Sequence, residues 1–392
     1  MVYLSEEQYD FIEKNFNLSP SDFMLNSNKY PLWDIKFIAQ QLVGRNLAKK
    51  KLPTWFETKK LHYPERISME QCSSEKTGIF KANILPVGSG VDLTGGFGVD
   101  TFYISQKVKS IVYCEQNLQL SSIALHNFSQ FNQKNIQVYQ GDGLTYLREC
   151  STIDWIYIDP SRRNENKKVN YLSDCSPNIL NYLPLLFSKA PVLLIKTSPL
   201  LDIKKTLSDL LRVKQVYVIS VNNDCKEVLY LLEKNFDGEA HISCNNLKSD
   251  KDETFDFTFF EEQECILSYS EPLKYLYEPN SSIMKAGAFK TIAKYFGLYK
   301  IHVNSHLYTS DIQINQFPGR SFTIQNILSP NPKSIPRFLL GKANLTCRNY
   351  PQNIDILRKK LRLKDGGEFY IFATTLLSGN PRLILCKKLI SL

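Results

Sequence analysis

From Val91 to Glu233 the chain alternates apolar runs of strand length with amphipathic runs of helix length, a pattern that few folds admit. Strands read at GVDLT, SIVYCEQ, IQVYQGD, WIYIDP, VLLIKTS, VYVISV and EVLYLLEK, and helices begin near Val99, Leu118, Gly143, Pro177 and Leu201. Parallel strands joined by right-handed helical crossovers give a doubly wound α/β sheet. Only the short polar NNDCK joins the last two runs, so the seventh strand is predicted to return antiparallel.

In such a sheet a ligand sits beyond the carboxyl ends of the strands. Four of those ends carry an acid: Asp92, Glu115, Asp142 and Asp159. The first opens a glycine turn, VDLTGGFGVD, in which Asp92, Thr94, Gly96 and Gly98 stand at alternate positions. Bare glycines let the backbone approach a ligand that any Cβ would block. No third glycine follows three residues later, so the dinucleotide fingerprint is not met and an NAD or FAD enzyme is disfavoured. Glu115 lies roughly twenty residues past the turn, where an acid accepts hydrogen bonds from ribose hydroxyls. Asp142, in QGDG, suits either a turn or a ligand contact.

The flanks read differently. Residues 1–85 recur in apolar character every three to four positions and are expected to be helical. Ser68 and Gln71 are spaced as a capping box opening one helix, MEQCSSEKTGIFKANI. There Glu70, Ser73, Ser74 and Glu75 suit either a surface helix or a lid. FDFTFF and ECILSYS look like added strands, EPLKYLYEPN like a turn-rich linker, and MKAGAFKTIAKYFG like a single helix. The tail reads strand ANLTCRN, helix IDILRKKLRL, turn DGG, and strands EFYIFATTL and RLILCKKL. Residues 281–392 hold 17 Lys and Arg against 4 Asp and Glu, whereas residues 91–280 hold 19 against 25. A basic excess confined to one region points to a polyanionic partner, with a solvated surface as the plainer alternative.

Nine scattered cysteines without a C-x-x-C pair fit reduced thiols better than disulfides or zinc, and no metal is expected. The N-terminal stretch is acidic where a signal peptide is basic, and no run is long enough to span a bilayer, so a cytoplasmic protein is expected.

The acid, the glycine turn and the three later acids resemble the class I S-adenosylmethionine-dependent methyltransferases. The resemblance implies a Rossmann-like seven-stranded sheet, with Asp92, Thr94, Gly95, Gly96, Phe97 and Gly98 along the methionine end. Glu115 then binds ribose, Asp142 faces the adenine amine and Asp159 lies on the substrate side. Thr94 departs from the usual first glycine. The motifs EQCSSEKTGIFKA, DPSRR, KTSPLLD, DCKEVL, YLYEPNSSIMKAGAF, HLYTS, FPGR and RKKLRLKDGGEFYIFATT are similar to a bacterial methyltransferase family with a THUMP-like C-terminal domain. That likeness implies a helical segment over 1–85, a methyltransferase core over 86–270, a small ferredoxin-like region over 271–320 and a THUMP-like domain over 321–392. It also implies an RNA partner, tRNA or rRNA.

Catalysis is expected at DPSRR. Base-methylating enzymes generally place an aromatic ring after Asp/Asn-Pro-Pro, and here Ser161 and Arg162 stand instead. Arg162 and Arg163 could grip phosphate or stack by their guanidinium planes. Asp159 suits hydrogen bonding to the acceptor or taking its proton, and Lys196 suits orienting the acceptor or simply snorkelling at a strand end. Cys225, in NNDCKE, is a candidate nucleophile or a small turn residue. Arg348, Arg358, Lys359, Lys360, Arg362 and Lys364 are the residues expected to meet phosphates, while Tyr350, Phe369, Tyr370 and Phe372 read as core. An RNA methyltransferase is the leading reading. Its alternatives are a methyltransferase of a small molecule or protein, and a non-catalytic binding protein.

Overall fold

The computed structural model describes residues 4–162 and 171–389. The chain divides into two compact units, Met1–Gln215 with Val228–Gly238, and Val216–Glu227 with Glu239–Leu392.

The first unit opens with helices α1 (Glu6–Asn15), α2 (Pro20–Leu25), α3 (Ile35–Lys51), α4 (Pro53–Glu57), α5 (Arg66–Gln71) and α6 (Glu75–Ile84). The single helix expected over residues 69–84 is therefore two. Ser68 lies inside α5, and the capping box belongs to Ser74 and Thr77, whose side chains bond each other's backbone N–H. Cys72 and Ser74 take extended backbone, which breaks the helical run between them.

The strands follow as β1 (Ser89–Asp92), β2 (Ser110–Glu115), β3 (Ile136–Gln140), β4 (Trp155–Ile158), β5 (Val192–Thr197), β6 (Val213–Val221) and β7 (Asp224–Glu233). Between them lie α7 (Val99–Ser105), α8 (Leu118–Gln130), α9 (Gly143–Glu149), α10 (Leu183–Lys189) and α11 (Ile203–Asp209). The order across the first unit is β3-β2-β1-β4-β5-β7. The first five are parallel, and β7 pairs antiparallel with β5. All four residues of β4 are buried, as a central parallel strand covered on both faces requires. Asn222 and Asn223 both adopt positive φ, 50° and 66°, which closes the β6–β7 hairpin as predicted from NNDCK.

One apolar cluster joins the N-terminal helices to the sheet. It holds Ala48, Leu52, Trp55, Tyr63 and Met69 together with Phe97, Phe102, Tyr113 and Phe128. The Trp55 and Phe97 rings lie 4.8 Å apart, so the helical segment braces the glycine turn directly.

In the second unit β6 neighbours β8 (His241–Leu247), which pairs antiparallel with β9 (Glu253–Thr258). HISCNNL is a strand that the sequence pattern did not reveal. ECILSYS is not one: helix α12 (Phe259–Glu264), opened by a capping box at Thr258 and Glu261, ends at its first residue, and beyond it Tyr269 makes only an isolated bridge to Lys300. The expected linker at EPLKYLYEPN is instead β10 (Tyr275–Pro279), interior to a seven-stranded sheet. Its Pro279 ends the strand, where its missing N–H disturbs the ladder least. MKAGAFKTIAKYFG forms two helices, α13 (Ser281–Ala286) and α14 (Thr291–Phe296), parted by Gly287 at φ 82°. The two-residue strand Tyr299–Lys300 lies at one edge of the sheet, which continues with β11 (Tyr308–Ser310), β12 (Gly319–Leu328), β13 (Asn344–Arg348), β14 (Phe369–Thr375) and β15 (Pro381–Lys388), and α15 (Ile354–Leu361) links β13 to its parallel neighbour β14. The tail thus follows the predicted β-α-β-β order.

Candidate active site

The carboxyl ends of β1, β2, β3 and β4 open on one cavity of about 430 Å³. Every residue expected along the cofactor lines it, Asp92, Thr94, Gly95, Gly96, Phe97, Gly98, Glu115 and Asp142, and so does Asp159, expected at the boundary with the substrate side. Ser161 and Lys196 line it too.

Local chemistry shapes the turn. Gly96 (φ 55°) and Gly98 (φ 86°) are left-handed, a conformation that L side chains rarely adopt. A Cβ on Gly96 would meet nothing closer than Thr94 O at 3.9 Å, so that position faces open space. The Tyr113 hydroxyl donates to Gly96 O at 2.5 Å, and Glu115 Oε2 accepts the Gly96 N–H at 2.8 Å. Glu115 Oε1 takes the Asn117 N–H at 2.7 Å. The Thr94 hydroxyl accepts the Asp159 N–H at 2.7 Å, joining the turn to the DPSRR strand end.

Asp92 is buried, with the Thr94 N–H at 3.0 Å and the Thr101 hydroxyl at 2.6 Å. Burial pushes its carboxyl up to about 7, although both hydrogen bonds pull the other way. Asp142 caps α9, accepting from the Thr145 N–H at 3.1 Å, and its other oxygen takes Gln116 Nε2 at 2.9 Å. The turn role and the cavity-lining role therefore coexist in Asp142.

At the opposite end of the cavity Lys196 Nζ lies 2.5 Å from Asp159 Oδ2, 3.3 Å from Ser73 Oγ and 3.8 Å from Asp100 Oδ2. Lys196 is thus tied into an ion-pair cluster at the cavity and does not snorkel outward. Asp100 was not anticipated. Burial alone would raise its carboxyl, but Lys81, Lys196 and the hydroxyls of Tyr157 and Ser73 hold it below the usual carboxylate range. Its position two residues past the last glycine of the turn was the one available signal.

Of the proposed lid residues, Ser73 reaches the cavity. Glu75 is turned to Thr54 and the Tyr103 hydroxyl, and Glu70 to Arg66. The backbone of Arg162 pairs with Cys175, and Arg163 lies outside the described residues. Cys225 is not among the cavity residues, and burial pushes its thiol up to about 11, which disfavours the thiolate a nucleophile needs.

In the second unit Lys359, Lys360, Arg362 and Lys364 are exposed. Arg358 is placed near Asp355 and Asp365, while Arg348 pairs with buried Glu278 at 2.9 Å, beside Arg320. Phe372 is buried, and Phe369, Tyr370 and Tyr350 pack on apolar clusters. No helix among the described residues is long and apolar enough to cross a membrane. Among them, too, no group of three or more His, Cys, Asp or Glu could hold a metal ion.

The residues present fit S-adenosylmethionine: a turn open at Gly96, a carboxylate at each of the first two strand ends, and a polar far wall. Residues 275–318 match a ferredoxin-like domain model, and residues 319–388 match a THUMP domain-like model. No curated protein matches the chain. Among solved structures, an assigned methyltransferase from Porphyromonas gingivalis W83 is 32% identical, covers 100% of both chains and superposes with a TM-score of 0.88. M. capricolum TrmK, solved with S-adenosyl-homocysteine, is 20% identical over 41% of this chain and 68% of its own, with a TM-score of 0.32. Because the likeness to the first of these runs the full length of both, the chain belongs to the class I S-adenosylmethionine-dependent methyltransferases, in the bacterial family that ends in ferredoxin-like and THUMP-like domains.

Proposed function

We propose that this enzyme methylates RNA, tRNA or rRNA, at a base or ribose atom presented to the DPSRR strand end. The observation that carries the RNA assignment is the exposed row Lys359, Lys360, Arg362 and Lys364 within the THUMP-like residues. Such a row neutralises phosphates without reading sequence. We read residues 1–85 as the helical segment, 86–270 as the catalytic region, 271–320 as the ferredoxin-like piece and 321–392 as the RNA grip.

S-adenosylmethionine supplies an electrophilic methyl on a cationic sulfur, whose electron pair stays behind when the acceptor's lone pair takes the carbon. Asp92 and the turn from Thr94 to Gly98 hold the methionine end, Glu115 the ribose and Asp142 the adenine amine. Asp159 accepts a hydrogen bond from the acceptor's N–H or O–H and takes the departing proton. Lys196 fixes the Asp159 carboxylate, and Ser161 and Arg162 flank the acceptor. Such a displacement depends on alignment more than on a strong base.

The test incubates the protein with tritiated S-adenosylmethionine and total cellular RNA, separates the RNA by size and digests the labelled fraction to nucleosides. Label confined to protein or to metabolites would overturn the RNA assignment.

A further inference from the structure

The charges at the Lys196 end of the cavity run from the lining residues Asp159, Lys196 and Asp100 inward to Lys81, which does not line it. Lys81, on the buried side of α6, has no exposed surface, yet its Nζ lies 3.2 Å from Asp100 Oδ1 and 3.1 Å from Ser73 Oγ. Asp100 Oδ2 receives the Tyr157 and Ser73 hydroxyls, each at 2.7 Å, with Lys196 Nζ at 3.8 Å. Lys196 in turn meets Asp159. The row Lys81, Asp100, Lys196, Asp159 therefore alternates in sign, from a fully buried lysine to a carboxylate on the cavity wall.

Stability alone does not account for this row. Two charges taken out of water lose hydration that their mutual attraction barely restores, and apolar residues of similar volume often serve a fold as well or better. What an apolar substitute cannot do is orient an ammonium. Lys196 has a flexible four-carbon stem. Set between Asp100 and Asp159, with Ser73 as a further partner, its head has one place to rest.

We infer that Asp100 and Lys81 are positioning residues for methyl transfer: Asp100 holds the Lys196 ammonium in register with Asp159, and Lys81 supplies the counter-charge that lets Asp100 stay buried there. The acceptor end is then set before any ligand arrives, which is how a site avoids reorganising during reaction. Asp100 and Lys81 act through Lys196 and touch no reacting atom. The inference rests on the methyltransferase reading above.

The test uses the full chain and two variants, Asp100→Asn and the double Asp100→Asn/Lys81→Met. The double variant removes one charge of each sign and so guards against a folding failure of the single one. Three quantities are measured: S-adenosylhomocysteine affinity by calorimetry, initial rate of tritium transfer to total cellular RNA, and acetylation of Lys196 by acetic anhydride, read by mass spectrometry. In both variants affinity stays within threefold of wild type, transfer falls at least tenfold and Lys196 acetylation rises at least threefold. Unchanged transfer and unchanged acetylation in the folded double variant would overturn the inference. So would affinity falling in step with transfer, which would make Asp100 a cofactor ligand. If wild-type protein labels no RNA, the RNA assignment falls, while Lys196 acetylation still decides whether Asp100 holds that side chain.

Discussion

Lys196 Nζ and Asp159 Oδ2 meet at 2.5 Å across the carboxyl ends of two neighbouring parallel strands. The lysine side chain is 13% exposed and the aspartate 36%, so the pair sits at the boundary between core and cavity. Lys196→Met removes the group that fixes the carboxylate, and Asp159→Asn removes the proton acceptor. Each is expected to lower methyl transfer by roughly 10²-fold or more, the scale of a lost general base. S-adenosylhomocysteine affinity, measured by calorimetry, stays within a few-fold. An equal loss of both would move the pair to the cofactor side.

The two left-handed glycines fail in different ways when substituted. At Gly96, alanine meets no close atom but must hold φ 55°, which costs about 1–2 kcal/mol, and its methyl faces the cavity. The expected result is a small drop in melting temperature with at least a tenfold loss of cofactor affinity. At Gly98, a Cβ would lie 2.7 Å from Phe128 Cζ, inside the cluster that braces the turn. Gly98→Ala is expected to destabilise the fold by about 2–3 kcal/mol, overpacking added to strain. Thermal unfolding and calorimetry together separate the two outcomes.

Acid stability follows from His62. Its ring stacks on His126 at 4.0 Å between centroids, with Tyr9 Oη 2.8 Å from Nε2. Burial, then the charge of His126, lowers it to about 4 from an ordinary 6.5. Between those values the unfolded chain binds the proton and the folded chain does not. Stability is therefore fully present above pH 6.5 and lost as the pH falls toward 4. His306 is lowered to about 4 as well, by burial and the charges of Lys300 and Arg348. His62→Phe should consequently flatten part of the fall in urea midpoint between pH 7 and pH 5. An identical slope in wild type and variant would exclude His62 as a cause.

The basic residues of the tail divide by their partners. Arg348 neutralises buried Glu278, so Arg348→Ala is expected to reduce stability with little change in the salt dependence of RNA binding. Lys359 and Lys360 are exposed on α15. Lys359→Glu with Lys360→Glu should weaken RNA binding and lower its log–log salt slope by about 0.7–0.9 for each phosphate that is no longer neutralised. Fluorescence anisotropy over a salt series reads both. An unchanged slope in the double variant would take α15 out of the interface.

The core strands were legible because parallel strands covered on both faces read as apolar runs, and their terminal acids stand out against such runs. Asp92, Glu115, Asp142 and Asp159 could be picked by position alone. Lys81 and Asp100 could not. A lysine in a helix reads as a surface residue, and an acid in a first helical turn is commonly explained by the helix dipole. Only the crossing of α6, α7 and β5 brings their charges together. Breaks within helices were illegible for a related reason. The apolar spacing runs on through Ser73 and Gly287, although an extended Cys72 with the Ser74 cap opening a new helix breaks the first run and a left-handed Gly287 breaks the second. Pro272 and Pro279 misled in the other direction, because β10 begins after the first and ends on the second.

Glu115 carries the remaining lesson. One of its oxygens holds the Gly96 N–H and the other the Asn117 N–H, so the carboxylate proposed to read the sugar also gives the glycine turn its shape. Two tasks in one side chain narrow the paths open to evolution. A substitution that retuned the sugar preference would also loosen the turn, so a drift toward a different nucleotide would need compensating changes elsewhere in the turn first.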